Sequence, residues 1–324
     1  MEYNLKNLTD KVLGGGQIDR DEAVFLYGQP LDELTRSADE IRTHFCRNRF
    51  DLCSIINAKS GRCSENCKFC AQSACHRTEV EEYSLLPESD IIAQAARDAA
   101  QGSLRFSIVT SGRRLADDEV EKICSIVRRI RESVGIAVCA SVGLLTVDQF
   151  RRLKEAGLSR AHNNLETSRR NFPNICTTHT FDDKIRAIRA AQAAGLSICS
   201  GGIMGLGETA EDRIDMALSL RGLGVRSICV NMLNAIAGTP LAAFPRLTPA
   251  DMCRIVAVYR FILPTSHIRL AGGRGLLPDK GKSCFMSGAN AAISGDMLTT
   301  AGISIETDRA LLKELGYETK LRDE

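Results

Sequence analysis

The sequence predicts an α/β protein: a (β/α)8 barrel of the TIM type, preceded by a helical extension. From residue 50 onward, short apolar segments alternate with longer segments of helical periodicity, in roughly eight pairs. The length of 324 residues suits one such barrel. Glycines precede several predicted strands, as expected where helices end in the left-handed conformation: Gly102, Gly135, Gly157 and Gly195.

The elements are predicted from hydrophobic periodicity and from the residues that start and stop helices. Within residues 1–49, helices are expected at 8–13, 21–27 and 31–46. Short apolar runs, typical of buried parallel strands, are expected at 50–57, 104–109, 136–142, 160–165, 196–201, 227–232, 267–271 and 291–294. Amphipathic helices lie between them, at 88–101, 115–133, 147–156, 181–194, 208–221 and 249–263. The division is therefore an N-terminal helical extension, residues 1–49, and a barrel, residues 50–324.

Composition favours a globular protein that acts on neither nucleic acid nor a membrane. Hydrophobic residues make up 44% and charged residues 25%, with a net charge of +2 and no Trp. No apolar run is as long as a membrane span, and the first residues lack the pattern of a signal peptide. The chain has 13 cysteines, which indicates a reducing, cytoplasmic location with thiols used as metal ligands or in packing.

A cysteine motif follows the first predicted barrel strand. Cys63, Cys67 and Cys70 have the spacing C-x3-C-x2-C, and no fourth cysteine lies at a matching distance. Three thiolates on one loop can hold three irons of a four-iron cluster and leave the fourth iron open to a small molecule. Two other interpretations remain open from the motif alone. The three thiols could bind zinc together with His76, or Cys67 and Cys70 could form a redox-active dithiol.

Further cysteines lie on four different predicted strands. Residues two apart on a strand share a face, and barrel enzymes place their chemistry at the C-terminal strand ends. Cys53, Cys139, Cys199 and Cys229 could therefore converge on the barrel interior, with Arg269 on a further strand. The alternative for each is that cysteine is a small and commonly buried core residue.

A glycine-rich segment follows the strand that carries Cys199. Gly205-Leu-Gly-Glu-Thr-Ala210 matches the phosphate-binding fingerprint of dinucleotide folds. Such folds place an acidic residue about 20 positions further on. No Asp or Glu lies between Asp215 and Asp251, so a dinucleotide site is disfavoured.

Taken together, these motifs resemble the radical S-adenosylmethionine (SAM) enzymes, and among them the biotin synthase family. Phe69 fits the aromatic residue that usually precedes the third cysteine. The resemblance extends over about residues 50–300 and includes segments 164–168, 199–209, 231–233 with 238–241, and 264–266 with 269–270. It implies a 4Fe-4S cluster on Cys63, Cys67 and Cys70, with SAM bound to the open iron. The implied reaction is radical insertion of sulfur into dethiobiotin to form biotin.

The family also carries a sacrificial auxiliary iron–sulfur cluster deep in the barrel, held by three cysteines and one arginine. Two of those cysteines match Cys139 and Cys199, and the arginine matches Arg269. The third falls at Ser107, and serine is a poorer iron ligand than thiolate.

A second difference compensates for Ser107. Cys53 stands where relatives carry a serine near the auxiliary cluster. We therefore expect an altered ligand set of Cys139, Cys199, Cys53 and Arg269, with Cys229 as a weaker candidate. Such a cluster need not be the two-iron type of the family, and a four-iron cluster with an extra sulfide fits the change.

The resemblance assigns further residues to SAM and to the substrate. Asn164 and Asn231 match positions that contact the substrate. Glu166 stands where the family more often has Asp, and Lys184 replaces an arginine that meets the SAM carboxylate, which keeps the charge but loses the bidentate fork. The full set of expected SAM contacts is Phe69, Asn164, Glu166, Lys184, Gly201, Gly202 and Ile203.

The resemblance also implies how the reaction runs and what it needs. Reductive cleavage of SAM would give a radical that removes hydrogen from dethiobiotin, and the resulting carbon radical would take sulfur from the auxiliary cluster. Expected partners are an electron donor such as flavodoxin or ferredoxin, iron–sulfur assembly proteins and a second copy of the chain. Ser107 favours a rival interpretation: a related radical SAM enzyme that acts on another substrate without sulfur insertion. A zinc- or cluster-bearing structural or redox protein is the remaining class.

Overall fold

Eight parallel strands close into a barrel in the computed structural model, which describes residues 3–321. Neighbours in the chain pair with each other, and the first strand pairs with both the second and the eighth. A ninth short strand extends the sheet beside the start of the first. The strands are β1 (Arg49–Lys59), β2 (Arg105–Thr110), β3 (Ala137–Ser141), β4 (Arg160–His162), β5 (Ser197–Met204), β6 (Ser227–Met232), β7 (His267–Leu270), β8 (Ala291–Ser294) and β9 (Glu318–Thr319). The predicted fold class is confirmed.

Helices surround the barrel and cover its sides. The helices are α1 (Leu5–Leu13), α2 (Arg20–Tyr27), α3 (Leu31–Cys46), α4 (Glu88–Gln101), α5 (Asp117–Ser133), α6 (Val147–Glu155), α7 (Phe172–Ile175), α8 (Phe181–Ala193), α9 (Ala210–Gly222), α10 (Pro249–Ile262), α11 (Lys282–Met286) and α12 (Ile305–Glu314). Helix α3 lies against α10, and α2 lies against α9 and α10, so these two N-terminal helices pack on one side of the helical layer.

Threonine caps set where four barrel helices begin. In each, the threonine side chain accepts a hydrogen bond from the third helical residue, whose own side chain bonds back to the threonine backbone. Because Thr209 is the cap of α9, that helix starts at Ala210 rather than at the predicted residue 208. The four caps are Thr146, Thr180, Thr209 and Thr248.

The glycines expected at helix ends adopt the predicted conformation. Gly102 ends α4 with φ of +104°, and Gly157 also has φ of +104°. A side chain there would strain the backbone, whereas glycine does not. The chain thus turns sharply from each helix into the next strand, as the barrel requires.

The fourth strand is shorter than expected. It ends at His162 instead of residue 165, because the chain then bends toward the barrel mouth. Glu166 has φ of +69°, a left-handed conformation that is uncommon for a residue with a side chain. The bend brings Asn163, Asn164 and Glu166 to the wall of the barrel cavity.

Three short or peripheral helices and one strand have no counterpart in the sequence predictions: α7, α11, α12 and β9. Among them, α12 begins at a serine cap, Ser304, and buries Ile305 and Leu312. Its buried apolar residues are spaced seven residues apart, with partly buried Leu311 beside them, which leaves a weak amphipathic pattern. The β9 pair joins residues 318–319 to the first residues of β1.

Candidate functional site

A cavity of about 410 Å³ occupies the barrel at the C-terminal ends of its strands. The cysteine loop after β1 forms one part of its wall, and residues of β1 to β8 form the rest. This is the end at which barrel enzymes carry their active sites. Both groups of cysteines predicted from the sequence line this one cavity.

The cysteine loop is a compact turn held by its own backbone. Cys63 N–H donates to the Gln72 carbonyl at 3.0 Å, and Cys70 N–H donates to the Cys67 carbonyl at 3.0 Å. Cys63, Cys67 and Cys70 are partly exposed at the cavity wall. The Nε2 atom of His76 lies 3.0 Å from the Cys67 carbonyl oxygen. The histidine that a Cys3His zinc site requires is therefore engaged with backbone.

A second segment, residues 175–179, lies against the cysteine loop. The Asn66 amide oxygen accepts the backbone N–H of Thr177 at 2.9 Å, and the Asn66 N–H donates to Thr178 Oγ1 at 3.1 Å. His179, expected to be a surface or loop residue, is buried, and its Nδ1 contacts both Glu65 Oε2 and Cys176 Sγ. His179 does lie in a loop, but it is not at the surface, because this segment packs on the cysteine loop.

Four thiols meet deeper in the barrel. Cys53, Cys139, Cys199 and Cys229 are all buried, and all line the cavity. The Sγ atoms of Cys199 and Cys229 are 3.4 Å apart. Ser107 lines the same space, and its Cα is paired in register with that of Cys139. The structure therefore brings Ser107 and Cys53, the thiol expected to compensate for it, to one cavity.

His162 joins this deep group and was missed in the sequence. Its ring nitrogen and the thiols of Cys199 and Cys229 lie within 4.8 Å of one another. The spacing of histidines along the chain contains no sign of this group. The alternation of strand faces does: His162 is two residues beyond Arg160 on β4, and both line the cavity.

Proton sharing between the deep thiols favours one thiolate. Hydrogen bonding from Cys229 lowers the pKa of Cys199, with His162 and Arg269 acting in the same direction. The same contact and burial raise the pKa of Cys229. Burial raises the pKa of Cys53, against the opposing effect of Arg269. Iron binding requires thiolates, so a bound metal would have to displace protons from these groups.

Three arginines surround one carboxylate beneath the thiols. Asp51 is fully buried, and its Oδ2 lies 3.1 Å from Arg105 Nε, 3.2 Å from Arg269 Nη2 and 3.8 Å from Arg160 Nη1. Burial alone would raise the pKa of Asp51, but the arginines hold it well below its ordinary value. Three guanidinium groups face one carboxylate, so the barrel interior holds an excess of positive charge.

Polar groups at the cavity mouth lack protein partners. The buried atoms Asn164 Oδ1 and Glu166 Oε2 make no hydrogen bond. Burial raises the pKa of the Glu166 carboxyl, and Lys184 opposes the shift. Lys184 reaches the same cavity from α8. Buried polar groups in native proteins are normally hydrogen-bonded, so these atoms are positioned for a polar ligand.

Gly201 and Gly202 allow backbone segments to approach β5 closely. A Cβ on Gly201 would lie 1.9 Å from the Cys229 carbonyl oxygen, and one on Gly202 would lie 2.3 Å from the Glu166 carbonyl oxygen. Real Cβ contacts are never that short, so no other residue fits without movement of the strands. These glycines therefore position Cys229 and Glu166.

Phe69 and Ile203 supply an apolar part of the cavity wall. Both line the cavity and pack against a small buried group beside the barrel mouth. That group consists of Ile175, Leu206, Leu233 and Leu241. An apolar wall of this kind suits the flat face of a nucleobase or the alkyl chain of a substrate.

Asn231 lies at the end of β6, where its side chain bridges two strands. Its Nδ2 donates to the Gly202 carbonyl at 2.9 Å, and its Oδ1 accepts the Gly272 N–H at 2.9 Å. Its Nδ2 retains one further N–H to donate, and its Oδ1 retains one further lone pair to accept a hydrogen bond. The residue lines the cavity with its orientation set by backbone contacts.

Comparison with known families identifies the class of protein. Residues 58–220 match the model of the Radical SAM superfamily, and residues 229–318 match the Biotin and Thiamin Synthesis associated domain. The first match covers half of the chain, so the chain is a radical SAM protein.

Relatives along the full length give the particular family. A biotin synthase of Brachyspira hyodysenteriae is 57% identical over 323 residues, covering 100% of this chain and 97% of the relative. A biotin synthase of Akkermansia muciniphila is 56% identical over 98% of both chains, and biotin synthase 2 of Corynebacterium diphtheriae is 58% identical over 98% and 96%. The chain belongs to the biotin synthase family.

Solved structures share the fold. Methylornithine synthase superimposes with a TM-score of 0.83 at 21% identity, covering 97% of both chains. HydG, a maturase of the [FeFe]-hydrogenase, has a TM-score of 0.83 at 18% identity, covering 98% of this chain and 76% of that one. At sequence identities this low, the similarity concerns the fold alone.

The families imply a 4Fe-4S cluster, SAM and an auxiliary iron–sulfur cluster, and the residues present fit all three. The loop supplies three thiols beside a cavity large enough for a cofactor. The deep group supplies four thiols above an excess of positive charge, which suits an anionic cluster. The unpartnered Asn164 and Glu166 oxygens suit the amino and hydroxyl groups of SAM.

Proposed function

We propose that this chain inserts sulfur into dethiobiotin to form biotin. The observation that carries the proposal is that two clusters of cysteines line one cavity. Three of the thiols lie at its mouth and four lie in the barrel interior. One group suits a cluster with an open iron, and the other suits a cluster that serves as the sulfur source. Family membership along the whole chain supports the same conclusion.

Cys63, Cys67 and Cys70 hold the 4Fe-4S cluster in this proposal. When bound, the cluster supplies the one-electron reduction that cleaves SAM to start radical chemistry. The chain keeps the three thiols in place through the backbone hydrogen bonds of the loop. The barrel strands form walls of the cavity, which limits the access of water to a radical.

SAM and dethiobiotin share the remaining space. Lys184 is proposed to pair with the SAM carboxylate, and Glu166 and Asn164 to accept hydrogen bonds from its amino and ribose groups. Phe69 and Ile203 would cover the adenine, with Gly201 and Gly202 setting the backbone beneath it. Asn231 would use its spare N–H and lone pair on the ureido ring of dethiobiotin.

The auxiliary cluster is proposed to lie among Cys139, Cys199 and Cys53, with Cys229 as a further ligand. The proximity of Cys229 to Cys199, 3.4 Å between sulfurs, strengthens a candidate that was weak from the sequence. Arg269 would balance the charge of the cluster, since its side chain is buried and faces these thiols. Four thiols can hold a four-iron cluster, and in the proposed form of that cluster an extra sulfide would be the sulfur consumed.

The test is to remove Cys53 and follow the auxiliary cluster. Cys53→Ala is expected to lower the iron and sulfide content and the biotin yield, while the signal of the SAM-binding cluster remains. Cys124→Ala, at a buried cysteine on α5 remote from the cavity, is the matched control. Retention of the full auxiliary spectrum by Cys53→Ala would contradict the altered ligand set.

The second candidate is a related enzyme that does not insert sulfur, and Ser107 is the observation in its favour. Serine replaces a family ligand at a position that lines the cavity beside Cys139. Sulfur analysis of the product separates the two. A product without new sulfur, formed together with 5′-deoxyadenosine, would support this second function.

We also propose the setting in which the enzyme works. Residues 1–49 would form an extension and residues 50–324 the catalytic unit. The partners would be flavodoxin or ferredoxin as electron donor, iron–sulfur assembly proteins and a second copy of the chain, in the cytoplasm. Within residues 3–321, no helix has the length and apolar character needed to span a membrane. Sedimentation of the purified protein tests the homodimer, and loss of SAM cleavage without a donor tests the electron partner.

A further inference from the structure

One corner of the cysteine loop contains more ligand atoms than a three-cysteine cluster site needs. Cys176 Sγ, Cys67 Sγ and a ring nitrogen of His179 all lie within 4.8 Å of one another. The proposed function uses Cys67 as a cluster ligand but gives no role to Cys176 or His179. Neither Cys63 nor Cys70 belongs to such a group of three within residues 3–321.

The extra groups are held in place by the segment 175–179. Cys176 is buried, with its Sγ 3.3 Å from the His179 Nδ1 and 3.4 Å from Thr178 Oγ1. Lys68 N–H donates to the Ile175 carbonyl at 3.0 Å, which attaches this segment to the loop directly after Cys67. The segment that carries Cys176 is thus attached to the cysteine loop directly beside Cys67.

The spacing suits a metal ligand. Two ligand atoms that bind one tetrahedral metal at about 2.3 Å each lie about 3.8 Å apart. The ligand atoms of Cys67, Cys176 and His179 lie within 4.8 Å of one another, which is within about 1 Å of that separation. The Nδ1 of His179 is the ring nitrogen that faces Cys176, and the opposite nitrogen, Nε2, is buried and makes no hydrogen bond.

We infer that Cys176 is a reserve ligand for the iron held by Cys67, so that the loop can exchange one ligand without losing its cluster. The inference rests on the proposed assignment of Cys63, Cys67 and Cys70 as cluster ligands. In the exchange, the iron–sulfur bond to Cys67 breaks and one to Cys176 forms. The proton of the Cys176 thiol passes to the Cys67 thiolate, and no electron is gained or lost.

The residues around Cys176 can stabilise its thiolate form. With Cys176 as thiolate, the N–H of His179 donates to its sulfur, and the carboxylate of Glu65 stands beside the same ring. Glu65 also accepts a hydrogen bond from Thr178 Oγ1 at 2.8 Å, and Arg113 lies 3.8 Å from its other oxygen. A Cys176 thiolate can therefore accept hydrogen bonds from His179 and Thr178, and Glu65 orients both donors, as in outer-shell support of metal ligands.

The experiment compares single cysteine variants of the full chain. Cys63→Ala, Cys67→Ala and Cys70→Ala are reconstituted anaerobically with iron and sulfide, then reduced. The reduced 4Fe-4S signal is followed by electron paramagnetic resonance with and without SAM, which separates this cluster from the auxiliary one. Two double variants complete the set: Cys67→Ala with Cys176→Ala, and the matched control Cys67→Ala with Cys124→Ala. Circular dichroism verifies folding, and Cys67→Ser replaces Cys67→Ala if the latter does not fold.

The inference predicts an asymmetry among the three loop cysteines. Cys67→Ala and its Cys124 control keep a signal that responds to SAM, whereas Cys63→Ala, Cys70→Ala and the Cys176 double variant lose it at least about tenfold. Loss of the signal in Cys67→Ala alone would overturn the inference, and so would its retention in the Cys176 double variant. Absence of the signal from the unaltered protein would overturn the cluster assignment itself and the inference with it.

Discussion

The buried carboxylate beneath the thiols is the most sensitive electrostatic position in the barrel. Asp51 is fully buried and touches Arg105 and Arg269 at 3.1 and 3.2 Å, with Arg160 at 3.8 Å. The substitution Asp51→Asn keeps the shape of the side chain and removes its charge. Three buried guanidinium groups then lose the carboxylate that they share.

The size of the effect follows from the distances. At an effective dielectric constant of about 20, each of the two shorter pairs contributes about 5 kcal/mol of attraction. The cost of burying the carboxylate offsets much of this sum, so removing one partner of a buried ionic group costs about 3–5 kcal/mol. We expect Asp51→Asn to lower the free energy of unfolding by that amount.

The assay is urea unfolding of the cluster-free protein, followed by circular dichroism at neutral pH. Asp182→Asn is the control, since Asp182 is exposed and pairs with Arg169 on the surface; its midpoint should not move. The arginines lower the folded pKa of Asp51, so its stabilisation is present above the unfolded pKa of about 4 and is lost as the pH falls below it. An Asp51→Asn protein as stable as the unaltered one at pH 7 would refute this reasoning.

Three further predictions concern the cavity wall. Gly201→Ala places a Cβ against the Cys229 carbonyl and should lower the free energy of unfolding, measured by thermal unfolding, by about 1–3 kcal/mol. Gly222→Ala, with open space around the new Cβ, should change that free energy little. Burial raises the pKa of Glu166, so its charge costs stability as the pH rises through the folded pKa. Glu166→Gln should therefore stabilise the ligand-free protein at neutral pH and lose this advantage below about pH 4. The same substitution should reduce kcat/KM for SAM about 10- to 100-fold. Lys184→Ala should raise the KM for SAM more than Lys184→Arg, because arginine keeps the charge; equal effects of the two would place the SAM carboxylate elsewhere.

Much of the barrel was predictable because strands and helices alternate with a clear change of period. The period of two also placed Cys139, Cys199 and Cys229 on inward faces, where the structure has them. These features depend on local pattern and on the closure of a parallel sheet, and both can be read from the chain.

The parts that could not be predicted depend on loop conformation. The left-handed turn at Glu166 shortens β4 and turns the following residues toward the cavity. The packing of segment 175–179 on the cysteine loop buries His179 and brings Cys176 to Cys67. No periodicity encodes such contacts between distant loops, because they arise from backbone turns and side-chain hydrogen bonds.

Formation of biotin by the reconstituted enzyme tests the central claim most directly. The protein is purified and reconstituted without oxygen, using sulfide labelled with a heavy isotope, and is then given SAM, dethiobiotin and a reductant. Mass spectrometry follows 5′-deoxyadenosine and biotin, alongside the iron and sulfide content. We predict labelled biotin together with 5′-deoxyadenosine, and more iron per chain than one four-iron cluster holds. Formation of 5′-deoxyadenosine without biotin, from protein with a single cluster, would contradict the account and make Ser107 the mark of a different reaction.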